Sequence, residues 1–143
     1  MPAALSLRAG LDTNVLVSAF IAAGPPSRVL EEAIDGHFEL VLFDPVVVEL
    51  ERILTEKLDF EPQRWSEAEA LLRELAVQAV RAPAGAPEPV TGDPADDLIL
   101  ASAIEVGADV LASGDRKHLL PIGERGGVRI LTPQGLLSEL RGD

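Results

Sequence analysis

Residues 92–115 read GDPADDLILASAIEVGADVLASGD and combine a helix signal, a strand signal and a late acid. Asp93 followed by Pro94 is typical of a helix N-cap with proline at the first helical position. The apolar run that follows predicts a helix over 95–106, and a shorter apolar run predicts a strand over 108–112. A helix leading directly into a buried strand is typical of an α/β fold.

The rest of the chain alternates strands and helices in the same way. Further strands are predicted at 5–11, 37–43, 76–81 and 128–131, and further helices at 13–22, 27–36, 44–58, 64–75 and 133–141. Asp44 is expected to cap the third of these helices, with Pro45 at its first position. The segment 82–93 is rich in Pro and Gly and is predicted to be a loop. The pattern predicts an α/β three-layer sandwich with a mainly parallel central sheet, as a single domain over 1–143.

Composition and charge narrow the classes of function. The 143 residues include 12 Lys and Arg against 24 Asp and Glu, a formal net charge of −12. A surface of that charge repels polyanions, so a nucleic-acid substrate has to be engaged locally, through a bound cation or a small basic patch. The absence of cysteine excludes disulfides and thiolate metal sites. No apolar run reaches the ~18 residues of a membrane span and no signal peptide pattern is found, so a cytoplasmic protein is expected.

Acidic residues fall where strands end and where helices begin. Asp12 follows the first predicted strand, and Asp115 follows the strand inside the opening stretch. Glu49 lies early in the helix after the second strand, and both Asp96 and Asp97 lie in the first turn of the helix that Asp93 begins. In a parallel sheet these positions share one edge, where ligands bind in such folds. We therefore expect the acids at these positions to converge.

Each acid also has a structural explanation. Asp12 and Asp93 are able to cap helices, Asp115 is able to form an Asx-turn, and Glu49 is able to lie in solvent. Four or five like charges at one edge, however, repel one another and raise one another's pKa. Such crowding is costly unless a cation neutralises it, and oxygen ligands without thiolates suit Mg²⁺ or Mn²⁺.

Four segments of the chain resemble the PIN domain family, metal-dependent ribonucleases that include VapC-type toxins. The segments are LDTNVLVSAF, VVVELERIL, DPADDLILASA and DVLASGDRKHLL, and the ending VRILTPQGLL resembles the tail of the toxin subgroup. The resemblance covers nearly the whole chain. It implies that Asp12, Glu49 and Asp115 are the first, second and fourth acids of a metal site. The third is Asp96 or Asp97, and the resemblance favours Asp96 without settling the choice.

The resemblance also implies supporting residues and partners. Asn14 and Ser113 stand where the family has polar residues that orient ligands or water, although threonine is more usual at the position of Ser113. The implied activity is hydrolysis of RNA phosphodiester bonds with Mg²⁺ or Mn²⁺. The implied partners are an antitoxin protein and a second copy of the chain, the latter through the helical region 44–75 that contains Trp65.

Two other functions stay open at this point. One is a catalytically inactive PIN scaffold that acts as a protein-interaction module, and the other is a phosphotransfer or phosphatase domain with Asp12 as nucleophile. Arg116 and Lys117 either contact substrate phosphates or are surface charges after a turn. His118 is expected to be a surface or half-buried residue and not a catalyst.

Overall fold

The computed structural model describes residues 7–57 and 61–142, and within these ranges the chain forms a six-stranded sheet flanked by helices. The strands are β1 (Arg8–Leu11), β2 (Glu39–Phe43), β3 (Val80–Ala82), β4 (Val110–Ala112), β5 (Glu124–Arg125) and β6 (Val128–Leu131). The helices are α1 (Thr13–Ile21), α2 (Pro25–Ile34), α3 (Asp44–Arg52), α4 (Pro62–Gln78), α5 (Pro94–Val106) and α6 (Pro133–Arg141). A π-helical turn, Ile53–Lys57, follows α3, and a 3₁₀ turn, Leu120–Ile122, precedes β5.

The order in which the strands are added across the sheet reverses between β1 and β4, which are themselves parallel neighbours. The order is β3-β2-β1-β4-β6-β5, with every pair parallel except β5–β6. The chain moves from β1 through β2 to β3 in one direction and then returns to place β4 on the other side of β1. Open α/β sheets bind ligands outside the carboxyl ends of the strands at such a reversal. The prediction of an α/β fold with a mainly parallel central sheet is confirmed.

Helices pack on the sheet in separate groups. Helix α1 contacts α2 and α3, and α2 contacts α6, whereas α5 packs across β2, β3 and β4. Fully buried leucines from these helices and from the sheet form the core, among them Leu16, Leu50, Leu100, Leu111 and Leu136. Each such side chain contributes roughly 1.5–3 kcal/mol when it leaves water. This burial fixes the helices on the strands whose ends carry the candidate site.

One close contact at the centre of the sheet requires glycine. A Cβ atom at Gly10 in β1 would lie 2.3 Å from Cζ of Phe43, the fully buried last residue of β2. Any larger residue at position 10 would displace that ring or separate the two strands. Gly10 thus allows Phe43 to cover β1 two residues before Asp12.

Several predicted boundaries differ from the structure. The strand predicted at 76–81 is in part helix, because α4 continues to Gln78 through the good helix formers of its last two turns, LLRELAVQ, and the strand begins only at Val80. The expected cap by Asp44 is wrong, since Asp44 lies inside α3 and its Oδ1 accepts hydrogen bonds from Arg81. Strand β5, with two exposed residues, was not predicted. The predicted starts and ends that fall on residues 1–6 and 58–60 lie outside the described residues.

In the described ranges 7–57 and 61–142, no helix has the length and apolar character needed to cross a bilayer. The longest described helix, α4, has 17 residues.

Candidate active site

Asp12 lies at the carboxyl end of β1, beside the end of β4. Its N–H group donates to the carbonyl oxygen of Ala112 at 3.0 Å, which extends the β1–β4 pairing by one residue. Its Oδ1 accepts from the N–H of Val15 at 2.9 Å, so Asp12 is also the N-cap of α1. The residue is only 4% exposed, and this burial is the main reason that the pKa of its carboxyl is raised.

Ser113 connects Asp12 to Asp115. Its hydroxyl donates to Oδ2 of Asp12 at 2.5 Å and accepts from the N–H of Asp115 at 2.9 Å. Ser113 is fully buried, and its own N–H donates to the carbonyl of Leu131 at 2.9 Å. The junction of β4 and β6 therefore fixes the hydroxyl that orients the first acid.

Asp115 closes a tight turn after β4. Its Oδ1 accepts from the N–H groups of Lys117 and His118, each at 2.9 Å, which is the Asx-turn considered from the sequence. The hydrogen bond that it shares with Asp96 is the main cause that lowers the pKa of Asp115, and these backbone N–H groups lower it further. Its negative charge thus remains at the edge of the sheet.

Asp96 enters the same space from the first turn of α5. Asp93 caps this helix as predicted, since its Oδ1 accepts from the N–H groups of Ala95 at 2.8 Å and of Asp96 at 3.2 Å. Burial, the hydrogen-bonded Asp115 and the charges of Asp115, Asp93 and Asp12 raise the pKa of Asp96 to about 8. In the metal-free protein at neutral pH, the carboxyl of Asp96 therefore carries a proton.

Glu49 approaches from α3 and is more exposed than the other acids at this edge. Its side chain is 41% exposed and is paired with Arg52 one turn later on α3. Nε of Arg52 donates to Oε2 of Glu49 at 3.1 Å, and a second guanidinium nitrogen donates to Oε1. The guanidinium partly neutralises Glu49 in the metal-free protein.

Asp97 is turned away from these acids. Its Oδ1 accepts three hydrogen bonds, from the N–H of Thr91 at 2.8 Å, from the hydroxyl of Thr91 at 2.7 Å and from the N–H of Val90 at 3.1 Å. The bond from the Thr91 hydroxyl is the main cause that lowers the pKa of Asp97. Asp97 anchors the loop before α5, so the structure brings Asp96 and not Asp97 to the other acids.

A cavity of about 520 Å³ opens at this edge of the sheet. Its polar lining consists of Asp12, Thr13, Asn14, Glu49, Asp93, Asp96 and Asp115, and its apolar lining includes Val46, Ile53, Leu98 and Ile99. The donor set fits a divalent cation, since it consists of carboxylate oxygens whose charges repel one another when no cation is bound. Such a cation would remove the repulsion that raises the pKa of Asp96.

The basic residues after Asp115 have different surroundings. Arg116 and Lys117 are exposed, whereas His118 is half-buried, as expected. Nδ1 of His118 lies 3.3 Å from Oδ2 of Asp115 and 3.7 Å from Oδ2 of Asp96. His118 was not predicted to be part of the site. Its position three residues after Asp115, inside the predicted Asx-turn, is the feature of the sequence that could have indicated a place beside this acid.

The Trp65 side chain, considered for the dimer surface, lies outside the described side chains.

Comparisons with known proteins place this geometry in a family. The family profile described as PIN domain matches residues 8–117, which include every acid discussed above. Solved structures share the fold. They include PAE2754 from Pyrobaculum aerophilum, with a TM-score of 0.63, 16% identity and coverage of 98% of this chain and 99% of that chain.

Two further structures share the fold over 88% of this chain and 98% of theirs. One is VapBC2 from Rickettsia felis bound to a DNA fragment from their promoter, with a TM-score of 0.59 and 15% identity. The other is FitAcB from Neisseria gonorrhoeae, with a TM-score of 0.54 and 19% identity. No curated protein matches the chain by sequence. The family match covers most of the chain and the three structures agree with it in fold, so the chain belongs to the PIN domain family.

Proposed function

We propose that this chain is a metal-dependent ribonuclease that hydrolyses RNA phosphodiester bonds in the cavity beside the β1–β4 reversal. The observation that carries the proposal is the meeting of three acids from distant parts of the chain. Asp12 follows β1, Asp115 follows β4, and Asp96 lies in the first turn of α5, yet all three line one cavity. Membership of the PIN domain family supports the same activity.

Four residues would hold the cation, Mg²⁺ or Mn²⁺. Asp12, Asp96 and Asp115 offer carboxylate oxygens directly, and Glu49 lines the same cavity from α3. When bound, the cation would polarise a phosphodiester and lower the pKa of a water molecule that attacks the phosphorus. It would also allow a phosphate to approach a protein of net charge −12, since the phosphate then meets a cation in place of bare carboxylates.

The protein's own groups orient the donors and hold the proton that must leave. The N–H of Val15 and the hydroxyl of Ser113 fix both oxygens of Asp12, so this carboxylate is set before any ligand arrives. The carboxyl of Asp96 holds a proton in the metal-free protein at neutral pH, and this proton would have to leave for the carboxylate to act as an anionic ligand. Asn14 lies on the cavity wall and offers an amide to substrate or water.

Substrate contacts and partners complete the proposal. Arg116 and Lys117 are exposed directly after Asp115, where they would contact RNA phosphates on either side of the bond that is cleaved.

We also propose an antitoxin partner in the cytoplasm, supported by the likeness to VapC-type toxins and the shared fold of VapBC2 and FitAcB. A homodimer through the region 44–75 is supported by Val48 of α3, which is 69% exposed.

Thermal melting with and without Mn²⁺, together with cleavage of a labelled single-stranded RNA, tests the function. A cation that binds only the folded chain adds about 2.7 kcal/mol of stability at a concentration of 100 times its Kd. We expect a higher Tm in millimolar Mn²⁺ and cleavage that EDTA stops. An unchanged Tm together with intact RNA would show the alternative, an inactive PIN scaffold that acts as an interaction module.

A further inference from the structure

His118 is held at the edge of the candidate site from two directions. On one side its N–H donates to Oδ1 of Asp115, so the Asx-turn sets the start of the side chain. On the other side the ring lies against the loop before α5, because a Cβ atom at Gly92 would be 3.5 Å from Cδ2 of His118. Gly92 has a φ of +90°, a conformation that a larger residue would rarely adopt. The imidazole is thus placed by backbone on both sides.

The ring faces carboxylates at distances that suit a shared ion. Nδ1 of His118 lies 3.3 Å from Oδ2 of Asp115 and 3.7 Å from Oδ2 of Asp96. With metal–ligand bonds of about 2.1 Å, neighbouring ligand atoms lie about 3 Å apart and opposite ones about 4 Å. Both separations fall within this range. The shorter separation is also a hydrogen bond between His118 and Asp115, whereas the longer one, to Asp96, is beyond hydrogen-bond distance.

Asp93 completes a set of three possible ligands. One ligand atom each from Asp93, Asp96 and His118 lies within 4.8 Å of the other two. Asp93 uses Oδ1 to cap α5, so its Oδ2 is able to face an ion. The loop that carries Asp93 is fixed in turn by Asp97, since the Thr91 hydroxyl donates to Oδ1 of Asp97 and accepts from the N–H of Asp93.

We propose that His118 supplies a further ligand, the nitrogen Nδ1, to the divalent cation of this same centre, on the side where Asp93 and Asp96 lie. The inference rests on the proposed function, because Asp96 belongs to the same metal centre. Imidazole is a poor ligand for Mg²⁺ and a good one for first-row transition metals. His118 should therefore strengthen the binding of Mn²⁺ more than that of Mg²⁺ and so increase the preference of the centre for Mn²⁺.

The chain offers a matched control for the test. His37 is the other histidine, and it is exposed and paired with Glu32 at the end of α2, in a different part of the fold. The variant His118→Asn keeps an N–H donor near the position of Nδ1 but removes the imidazole. The variant His37→Asn makes the same chemical change away from the candidate site. Circular dichroism of both variants checks that the fold is retained.

The test loads the tag-free, metal-stripped chain with Mn²⁺ and measures electron spin echo modulation from ¹⁴N. We expect an imidazole nitrogen signal in the wild type and in His37→Asn, and its loss in His118→Asn. Titration calorimetry should show Mn²⁺ affinity falling at least about tenfold in His118→Asn, with a smaller change for Mg²⁺.

Two other results separate this inference from the proposed function. If Mn²⁺ binds but the wild type gives no ¹⁴N signal, or if the signal persists in His118→Asn, His118 is not a ligand. Either result would still be compatible with a metal-dependent nuclease. A wild-type chain that binds no Mn²⁺ at millimolar concentration overturns both.

Discussion

The hydroxyl of Ser113 lies 2.5 Å from Oδ2 of Asp12, although the two residues are 101 positions apart in the chain. This bond crosses from β4 to β1 at the reversal of strand order and continues to the N–H of Asp115. One buried hydroxyl therefore sets the relative positions of two proposed metal ligands. Any change at Ser113 is expected to act on the site through these two acids.

Replacing Ser113 by alanine should weaken both stability and metal binding. Asp12 is 4% exposed, and the loss of a hydrogen bond to a buried charged group costs about 1–3 kcal/mol. We expect a lower free energy of unfolding and Mn²⁺ affinity about 10–100-fold weaker, measured by urea denaturation and calorimetry. Ser113→Thr keeps the hydroxyl and should retain most of both properties. Equal losses in the Ala and Thr variants would show that packing, and not the hydroxyl, is responsible.

Removing the charge of a proposed ligand should abolish cleavage while the fold persists. Asp12→Asn or Asp115→Asn deletes an anionic oxygen that the cation requires, so we expect RNA cleavage in Mn²⁺ to fall at least about a hundredfold. Asp35→Asn is the control, because Asp35 is an exposed acid at the end of α2. Cleavage by Asp12→Asn or Asp115→Asn at the rate of the control would contradict the assignment of these acids.

The stability of the metal-free protein should depend on pH through Asp96. The pKa of this carboxyl is about 8 in the folded chain, against an ordinary value of 3.8. Between these values the folded state keeps a proton that the unfolded state has lost. The free energy of unfolding therefore falls as pH rises, and because solvent screens this partly buried carboxyl the slope stays below the roughly 1.4 kcal/mol per pH unit of one full proton. Above pH 8 both states are ionised and the loss is complete.

The variant Asp96→Asn isolates this effect, because it has no carboxyl to titrate at position 96. In EDTA the Tm of the variant should equal that of the wild type near pH 4. The difference in Tm should grow in favour of the variant up to pH 8 and stay constant at higher pH. Melting curves from pH 4 to pH 9 measure this difference. A variant that melts below the wild type at pH 8 would be evidence against repulsion among these acids.

The proton held by Asp96 should be released to the buffer when the cation binds. Below pH 8 a cation has to displace the proton of Asp96, so Mn²⁺ affinity should rise by up to about tenfold per pH unit. Calorimetry at pH 7 in buffers of different ionisation enthalpy should show close to one proton released per Mn²⁺ bound. At pH 9 the release should be nearly absent. Binding without proton release at pH 7 would mean that Asp96 is not a ligand.

Neighbouring acids in α5 should respond in opposite directions to the same substitution. Asp97→Asn removes charge from an oxygen that accepts three hydrogen bonds, so it should lower the Tm of the metal-free protein. The lowered pKa of Asp97 places its stabilising contribution above about pH 4, and this contribution is lost as the pH falls further. Asp96→Asn should raise the Tm at pH 8. A stabilised Asp97→Asn variant would contradict the anchoring role.

The sequence predicted the strands that carry the site better than it predicted the site's details. The sequence shows β1, β2, β4 and β6 clearly because each is an apolar run followed by a polar or turn residue. The choice between Asp96 and Asp97 depends on how the loop 82–93 docks, since adjacent residues in a helical turn point about 100° apart. Only the contact of Asp97 with Thr91, set by tertiary packing, decides it.

Other features lacked a sequence signal for similar reasons. Strand β5 has two residues and no apolar pattern, so its pairing with β6 follows from the hairpin geometry of the folded chain. The position of His118 depends on an Asx-turn and on Gly92, which lies 26 residues earlier in the chain. The pairing of Glu49 with Arg52 has ordinary helical spacing, which does not reveal that Glu49 lines the cavity.

Anomalous diffraction from crystals soaked in Mn²⁺ would show whether Asp12, Asp96 and Asp115 hold an ion. We expect an anomalous peak in the cavity between Asp12, Asp96 and Asp115, with carboxylate oxygens about 2.2 Å from the ion and with Asp97 still bonded to Thr91. A cavity without a peak in millimolar Mn²⁺, or a peak on Asp97 with Asp12 and Asp115 uninvolved, would contradict this expectation.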